Sequence, residues 1–441
     1  MLRAGASKVN ITPFLGGPMA GYSARDRGSD SIHDELHAKA LVLDDGRTGV
    51  ALITTDLIGI DRELAAHVRG LVEARVGIAP DRVWMTGSHT HFGPAVSSGR
   101  TEGEHTDPYD RSYADVLAAK LTTAVKLAHD RLRPARLGAG AIRAEGISYN
   151  RRLIRADGKV EMSLTLPPPY EGLKFGPVDP EVGLLKVEGE ADGDTIATLV
   201  NFACHPVSST DRMYEFTADY PGYAMDLIES VEGGICLFAL GCAGNIVPIQ
   251  RRGRSKRQVG LSLGGCALKA LQWIQTSDRH RIRASGRNIE LPLRRFPSAA
   301  RMERQIADAE AALNSARERK ATSREITECR EALGLARSLP RWAERFGRRK
   351  TRPSEIQVFW IGDIPMIGLP GEVFVELGLR IKKALDASPV LVVSLSNDSA
   401  GYIPERRAYR QGGYESNVSA FAPGCGEHLV REALDLAESI R

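Results

Sequence analysis

Val83-Trp-Met-Thr-Gly-Ser-His-Thr-His-Phe-Gly-Pro94 begins as an apolar strand and ends in two imidazoles followed by a turn. On a continuing strand His89 and His91 would point to opposite faces, because successive side chains alternate. In a loop leaving the strand they converge on one small volume. That arrangement suits a divalent metal, with one histidine binding it and the other facing substrate. A His-x-His pair is a weak signal alone, and it gains force because other apolar strands end in the same way.

Thr198-Leu-Val-Asn-Phe-Ala-Cys-His205-Pro206 carries a third histidine off a strand end, and Leu240-Gly-Cys-Ala-Gly-Asn245-Ile-Val-Pro248 is a turn able to offer backbone N–H groups. Met366-Ile-Gly-Leu-Pro-Gly-Glu372 places a carboxylate where a helix over 373–385 begins, and Leu395-Ser-Asn-Asp-Ser-Ala-Gly-Tyr402 supplies a phenol. In open α/β sheets, ligand sites form beyond the carboxyl ends of the strands. Two imidazoles and a carboxylate with an open fourth position match several catalytic zinc sites, and Tyr402 could occupy or gate that position. The donors come from distant segments, so no compact His-Glu-x-x-His motif is expected. Taken singly, Glu372 also reads as an acid complementing a helix N-terminus, Tyr402 as a packing aromatic and His205 as a core histidine. Their joint placement at strand ends favours one metal site.

Working outward, Leu41–Leu43 and Val50–Thr54 around Asp44-Asp-Gly-Arg47 read as a β-hairpin. A helix follows from an Asp61 N-cap, with Leu64, Val68, Leu71 and Val72 on one face. A second runs from about Ser112 to Arg131 with Val116, Leu117, Leu121, Val125 and Ala128 on its stripe. Strands recur at 183–187, 197–202, 235–240, 356–361 and 390–395. Apolar strands alternating with helices imply an α/β fold, a layered sheet core with flanking helices and the active site at strand C-terminal ends. Residues 298–350 are charged and strand-poor, with Met302, Ile306, Ala309, Leu313 and Ala316 at helical spacing. They read as a helical hairpin inserted into a single domain over 1–441, with Ser298 and Ser323 as N-caps and Pro340 ending or kinking the second helix.

The 441 residues carry 59 basic and 55 acidic side chains, a net +4 that argues against nucleic acid as a partner. No run approaches the roughly 18 apolar residues of a membrane span, so no stable membrane association is expected. The first residues, Met1-Leu-Arg-Ala-Gly-Ala-Ser-Lys, lack a hydrophobic signal region, and the expected location is cytoplasmic. Six cysteines form no paired Cys-x-x-Cys spacing and read as buried thiols. The run Arg251-Arg-Gly-Arg-Ser-Lys-Arg257 leaves the 244–248 turn and reads as a solvated loop or as an attractor of an anionic substrate. Arg345-Phe-Gly-Arg-Arg-Lys-Thr-Arg352 reads as a solvated boundary. His67, His105, His129, His280 and His428 read as solvated or structural, and His33 stays ambiguous on spacing alone.

The ordered set Ile32-His-Asp-Glu-Leu36, Gly87-Ser-His-Thr-His-Phe-Gly-Pro94, Asn150-Arg151, Asp179-Pro-Glu-Val-Gly183 and Phe202-Ala-Cys-His-Pro206 is one resemblance signal. Ala218-Asp-Tyr-Pro-Gly-Tyr223, Leu369-Pro-Gly-Glu372, Gly401-Tyr-Ile-Pro404 and Gly413-Tyr-Glu415 continue it. In this order the motifs resemble the catalytic domain of the neutral/alkaline (non-lysosomal) ceramidases, zinc amidases of sphingoid lipids. The resemblance implies one Zn2+ held by His89, His205, Glu372 and Tyr402. It implies His91 as a hydrogen-bonding residue beside the scissile group, with Arg151 and His33 as substrate-side contacts. It departs at Gly244-Asn-Ile-Val-Pro248, where Val247 stands in place of the serine of a Gly-Asp-Val-Ser-Pro motif. A valine cannot act as a nucleophile. No counterpart of the family's secretion signal or C-terminal immunoglobulin-like domain is expected.

The expectation is a zinc-dependent hydrolase of an amide or ester bond, working through metal-activated water on a small polar substrate that the arginines would suit if anionic. His91, Tyr402 and Arg151 would stabilise the oxyanion, and His33 or the surroundings of Glu372 would shuttle the proton. One alternative uses the same metal in a lyase acting on a uronate-type sugar. Another is a non-catalytic binding protein on the same fold. Homo-oligomerisation is compatible with all three.

Overall fold

The computed structural model describes residues 1–22, 25–96, 111–166 and 174–441. Two stacked sheets organise it. The larger contains β1 (Arg3–Asn10), β2 (His37–Asp44), β3 (Gly49–Thr55), β4 (Val83–Gly87), β5 (Arg133–Arg143), β6 (Glu181–Gly189), β7 (Thr195–Phe202) and β8 (Ile235–Leu240). Their spatial order is β8-β7-β6-β5-β1-β2-β3-β4. The smaller sheet runs β9 (Ile282–Pro292), β10 (Thr351–Ile361), β11 (Ile364–Gly368) and β12 (Leu391–Val393) in that order. Most neighbours are antiparallel, while β3–β4, β7–β8 and β11–β12 are parallel.

The helices are α1 (Arg62–Val76), α2 (Arg111–Asp130), α3 (Asp219–Glu232), α4 (Ser255–Leu271), α5 (Ala299–Glu318), α6 (Ser323–Phe346), α7 (Val375–Ala384) and α8 (Cys425–Ser439). The two-residue period of the strands decides the layers. Along β2, Ala38, Ala40 and Val42 pack on α1 and α2, while Leu41 and Leu43 face the second sheet. Along β8, Cys236, Phe238 and Leu240 pack on α3 and α4, while Leu237 and Ala239 meet Phe359, Met366 and Val393. On β10, Ile356, Val358 and Trp360 turn outward to α7 and α8. The result is a helix–sheet–sheet–helix sandwich, which bears out the α/β core with flanking helices.

The sheets are tied together at one end. Ser394 N–H donates to the Leu240 carbonyl at 2.8 Å, and Asn397 exchanges hydrogen bonds with the backbone of Met85, both 2.8 Å. The Asn201 amide donates to Ala239 and Val392, one in each sheet. Trp84, buried between the sheets, gives its indole N–H to Ser396 at 3.0 Å. Leaving such a donor unpaired would cost about 1–3 kcal/mol. These bonds fix the ends of β4, β7, β8 and β11–β12 at one edge, where the polar residues of the motifs emerge.

Local expectations meet mixed outcomes. Asp61 caps α1, its side chain accepting Leu64 N–H. Val116 is half exposed rather than on the packed stripe of α2. The charged segment forms α5 and α6 between β9 and β10, but Thr322, not Ser323, is the side-chain cap of α6. Ser298 caps α5 without a side-chain hydrogen bond. Pro340 does not end α6, since Leu339 and Phe346 on either side stay buried and their packing outweighs the one lost backbone bond. Arg352, expected at a solvated boundary, is buried and bonds both oxygens of Asp398 at 2.5 and 2.7 Å. His105 lies outside the described residues. Among the described residues no helix is long and apolar enough to cross a membrane.

Candidate metal centre

His89 leaves β4 with φ of +70°, a left-handed backbone that costs a non-glycine residue about 1–2 kcal/mol. The Leu57 carbonyl accepts its N–H at 2.9 Å, and its ring Nδ1 donates to the Ile58 carbonyl at 2.7 Å. With Nδ1 occupied, Nε2 is the free nitrogen. His205, beyond β7, is built the same way, Nδ1 lying 2.6 Å from the Ala243 carbonyl and 3.1 Å from that of Ile246. Such anchoring of the outer nitrogen is the usual support of a metal-binding imidazole. Both Nε2 atoms lie 3.3 Å from the same Glu372 oxygen, Oε2.

Glu372 sits on a two-residue strand, Glu372–Val373, paired in parallel with Tyr402–Ile403, and its register partner is Tyr402. The expected helix start lies further on, at Val375, so Glu372 is not a helix-terminal acid. That place is taken by Glu376 in the first turn of α7. Tyr402 receives a hydrogen bond from Arg151 Nη2 at 3.1 Å. Arg151 is itself buried, with Nε on Glu415 Oε1 at 2.7 Å and Nη2 on the Gly244 carbonyl at 2.9 Å. Arg152 grips the other Glu415 oxygen at 2.9 Å.

His91 presents Nε2 to His89 Nε2 at 3.3 Å, while its buried Nδ1 has no hydrogen-bond partner. Ring nitrogens of His89, His91 and His205 all lie within 4.8 Å of one another. Burial pushes the His205 imidazole down to about 4, and burial with the two neighbouring rings holds His91 well below its usual value. Burial raises the Glu372 carboxyl, but His89 and His205 prevail and hold it well below the carboxylate range. A neutral His205 imidazole and an ionised Glu372 carboxylate are the protonation states in which such groups bind a cation. Burial and the nearby Glu372 charge raise Tyr402 well above an ordinary phenol, against the pull of Arg151.

The three imidazoles could therefore hold a metal ion. The His33 ring, expected as a substrate-side contact, bonds Asp34 at 2.6 Å and meets Tyr223 at 3.4 Å. The 241–246 turn, expected to offer N–H groups, offers carbonyls instead. Its Gly241, Gly244 and Ile246 N–H groups are spent on Phe202, Val373 and Ala243, while the Ala243, Gly244 and Ile246 carbonyls receive His205 and Arg151. Val247 is fully buried beside Tyr149 and Val207. Sequence reasoning assigned no role to Glu415 or to Tyr22, whose ring stands edge-on to His91 at 5.1 Å. An acid among apolar neighbours in Gly413-Tyr-Glu415 was the one available signal.

The profile described as neutral/alkaline non-lysosomal ceramidase, N-terminal, matches residues 2–236. The chain is 24% identical to the neutral ceramidase of Pseudomonas aeruginosa, over all of this chain and 72% of that protein. It is 24% identical to neutral ceramidase A of Dictyostelium discoideum over 49% of this chain and 30% of that relative. The crystal structure of neutral ceramidase from Pseudomonas aeruginosa superposes with a TM-score of 0.73 at 21% identity, covering 100% of this chain and 75% of that one. A ceramidase complexed with C2 gives 0.74 at 20% identity. The profile spans more than half of the residues, and it includes the strand ends that deliver His89, His91 and His205. The chain belongs to the neutral/alkaline non-lysosomal ceramidase family.

Proposed function

We propose that the protein is a zinc-dependent hydrolase that cleaves an amide or ester bond in a small polar substrate with an anionic group. One Zn2+ would be held by His89, His205 and Glu372, with Tyr402 at the fourth position. The observation that carries this reading is the matched pair of imidazoles, each with Nδ1 on a backbone carbonyl and Nε2 at 3.3 Å from one carboxylate oxygen. When bound, the ion supplies Lewis-acid polarisation of the scissile carbonyl and acidifies water.

The chain's own groups do the rest. Arg151 donates to the Tyr402 oxygen, which leaves the Tyr402 proton free to donate in turn. Directed at the carbonyl oxygen of a bound substrate, that proton stabilises the charge developing in the transition state, and one such donor is commonly worth about 10²–10³ in rate. His91 has no anchor on Nδ1. It is suited to hydrogen-bond the substrate rather than the ion. Val247 carries no hydroxyl, which supports a route through water and leaves the ceramide reaction of the family's serine without its nucleophile.

The test is metal analysis of the purified protein, followed by turnover of N-acyl amino acids, small esters and uronate oligosaccharides before and after chelation. Hydrolysis that requires a stoichiometric ion supports the reading. Activity that survives removal of the metal sinks it, and an unsaturated uronate product would replace it with lyase chemistry.

A further inference from the structure

Against His91 stands a group of side chains that the proposed metal site does not use. The Tyr22 ring packs edge-on to His91, and its buried hydroxyl makes no close hydrogen bond, with Arg251 the cationic side chain that approaches it. Arg25 lies 5.0 Å over the same ring but is unavailable, since its nitrogens are spent on the Met213, Ala20 and His91 carbonyls.

Arg251 is different. It opens the basic run after the 244–248 turn, and Nε donates to the Val207 carbonyl at 3.3 Å. Val207 packs with Val247 and Tyr149 in a small apolar cluster against which Tyr22 also rests. Among the described residues Arg251 pairs with no carboxylate, and it is the leading cation acting on the Tyr22 hydroxyl. Asp219 is the acid acting on that hydroxyl, but its two oxygens are taken by the Ser208 and Tyr220 N–H groups. A half-buried guanidinium with no acid, the hydroxyl it approaches and the apolar side chains beside them complement a planar anion.

We propose that Arg251 and Tyr22 form a carboxylate-recognising subsite beside the metal centre, reading an acid group carried by the substrate. This names the anionic end of the substrate and so rests on the hydrolase reading above. Val207 and Val247 form the wall between that acid and the metal donors. In the serine-bearing motif of the family a hydroxyl occupies the Val247 position. Here the wall is apolar, and the polar work passes to Arg251.

The experiment is calorimetric binding of a panel of N-acyl amino acids, each paired with its own carboxamide, to the metal-loaded and the chelated protein, with phosphate as a control anion. Wild type should bind the best carboxylates about tenfold or more tighter than their carboxamides, the value of one good charge-assisted contact. Arg251→Gln should bring that ratio to about one, Arg251→Lys should keep part of it, and Tyr22→Phe should lower it. The inference is overturned if no pair shows a preference for the carboxylate, if Arg251→Gln weakens both forms alike, or if phosphate competes as well as the carboxylates. A preference that persists in chelated protein while no panel member is hydrolysed keeps the subsite and removes the hydrolase reading. Metal-dependent hydrolysis with no charge preference does the reverse.

Discussion

Glu372 and Tyr402 are register partners in a two-residue parallel ladder, so one donor cannot move along the chain without carrying the other. The ladder is entered through Gly371, whose φ is +73° and whose missing Cβ would otherwise overlap the Gly401 carbonyl oxygen. That same oxygen accepts the Glu372 N–H at 2.8 Å. Gly371→Ala should therefore cost about 2 kcal/mol or more in stability and weaken metal binding. Thermal denaturation together with a metal titration checks both; a variant as stable and as avid as wild type refutes the account.

Removing an imidazole should remove the ion. His89→Asn tests this cleanly, because asparagine tolerates a left-handed backbone better than alanine does. Its metal affinity should fall by more than the about 10–100-fold that follows loss of an outer-shell partner. Elemental analysis after dialysis reads it directly, and a fully loaded variant would show that His89 is not a ligand.

Glu415 holds two buried guanidinium groups at once, Arg151 at 2.7 Å and Arg152 at 2.9 Å. Glu415→Gln leaves both without a counter-charge and should cost about 3–5 kcal/mol, with a fall in turnover because Arg151 no longer orients the Tyr402 hydroxyl. Combining it with Arg152→Gln should cost less than the sum of the two single changes, since they share one network. Strict additivity in denaturant melts would contradict that coupling.

Residue 247 should matter to the fold and not to the chemistry. Val247→Ala opens a small cavity among Tyr149 and Val207 and should lower stability by about 2 kcal/mol while turnover persists. A collapse of activity in a folded, metal-loaded variant would mean that the side chain at 247 takes part in the reaction.

Burial raises the Asp56 carboxyl from 3.8 to about 6. The folded state binds its proton more tightly than the unfolded chain does. Its stabilising contribution is thus complete below pH 3.8 and is lost as pH rises through about 6, a change of about 2–3 kcal/mol. Asp56→Asn should flatten the corresponding part of a stability profile taken from about pH 4 to about pH 8. Asp219, also raised to about 6, leaves a residual slope of the same sign. An unaltered profile would show that Asp56 is ionised in the fold.

Local pattern made much of this readable. The apolar runs ending at His89, His205 and Glu372 were visible because strands buried on both faces are continuously hydrophobic, and the motif order disclosed which ends belong together. The doubling of the sheet was not visible, because a strand such as β10 reads the same whether it covers a helix or another sheet. Glu372, read as a ligand, also reads as a helix-start acid because Val373 and Phe374 continue an apolar run into α7. The pairings of Arg352 and Glu415 are illegible for a common reason: their counter-charges, Asp398 and Arg151, lie far away in the sequence. No local rule reaches that far.

The junction of Ser394 with Leu240 and of Asn397 with Met85 has a bearing on biogenesis. His89 and His205 leave strands of the first sheet, Glu372 lies between the last two strands of the second, and Tyr402 follows the last of them. A nascent chain released only as far as β8 exposes half a cage. Under the proposed ligand set ion capture would be a late event in synthesis, and an ion retained after gel filtration would report that both halves had docked.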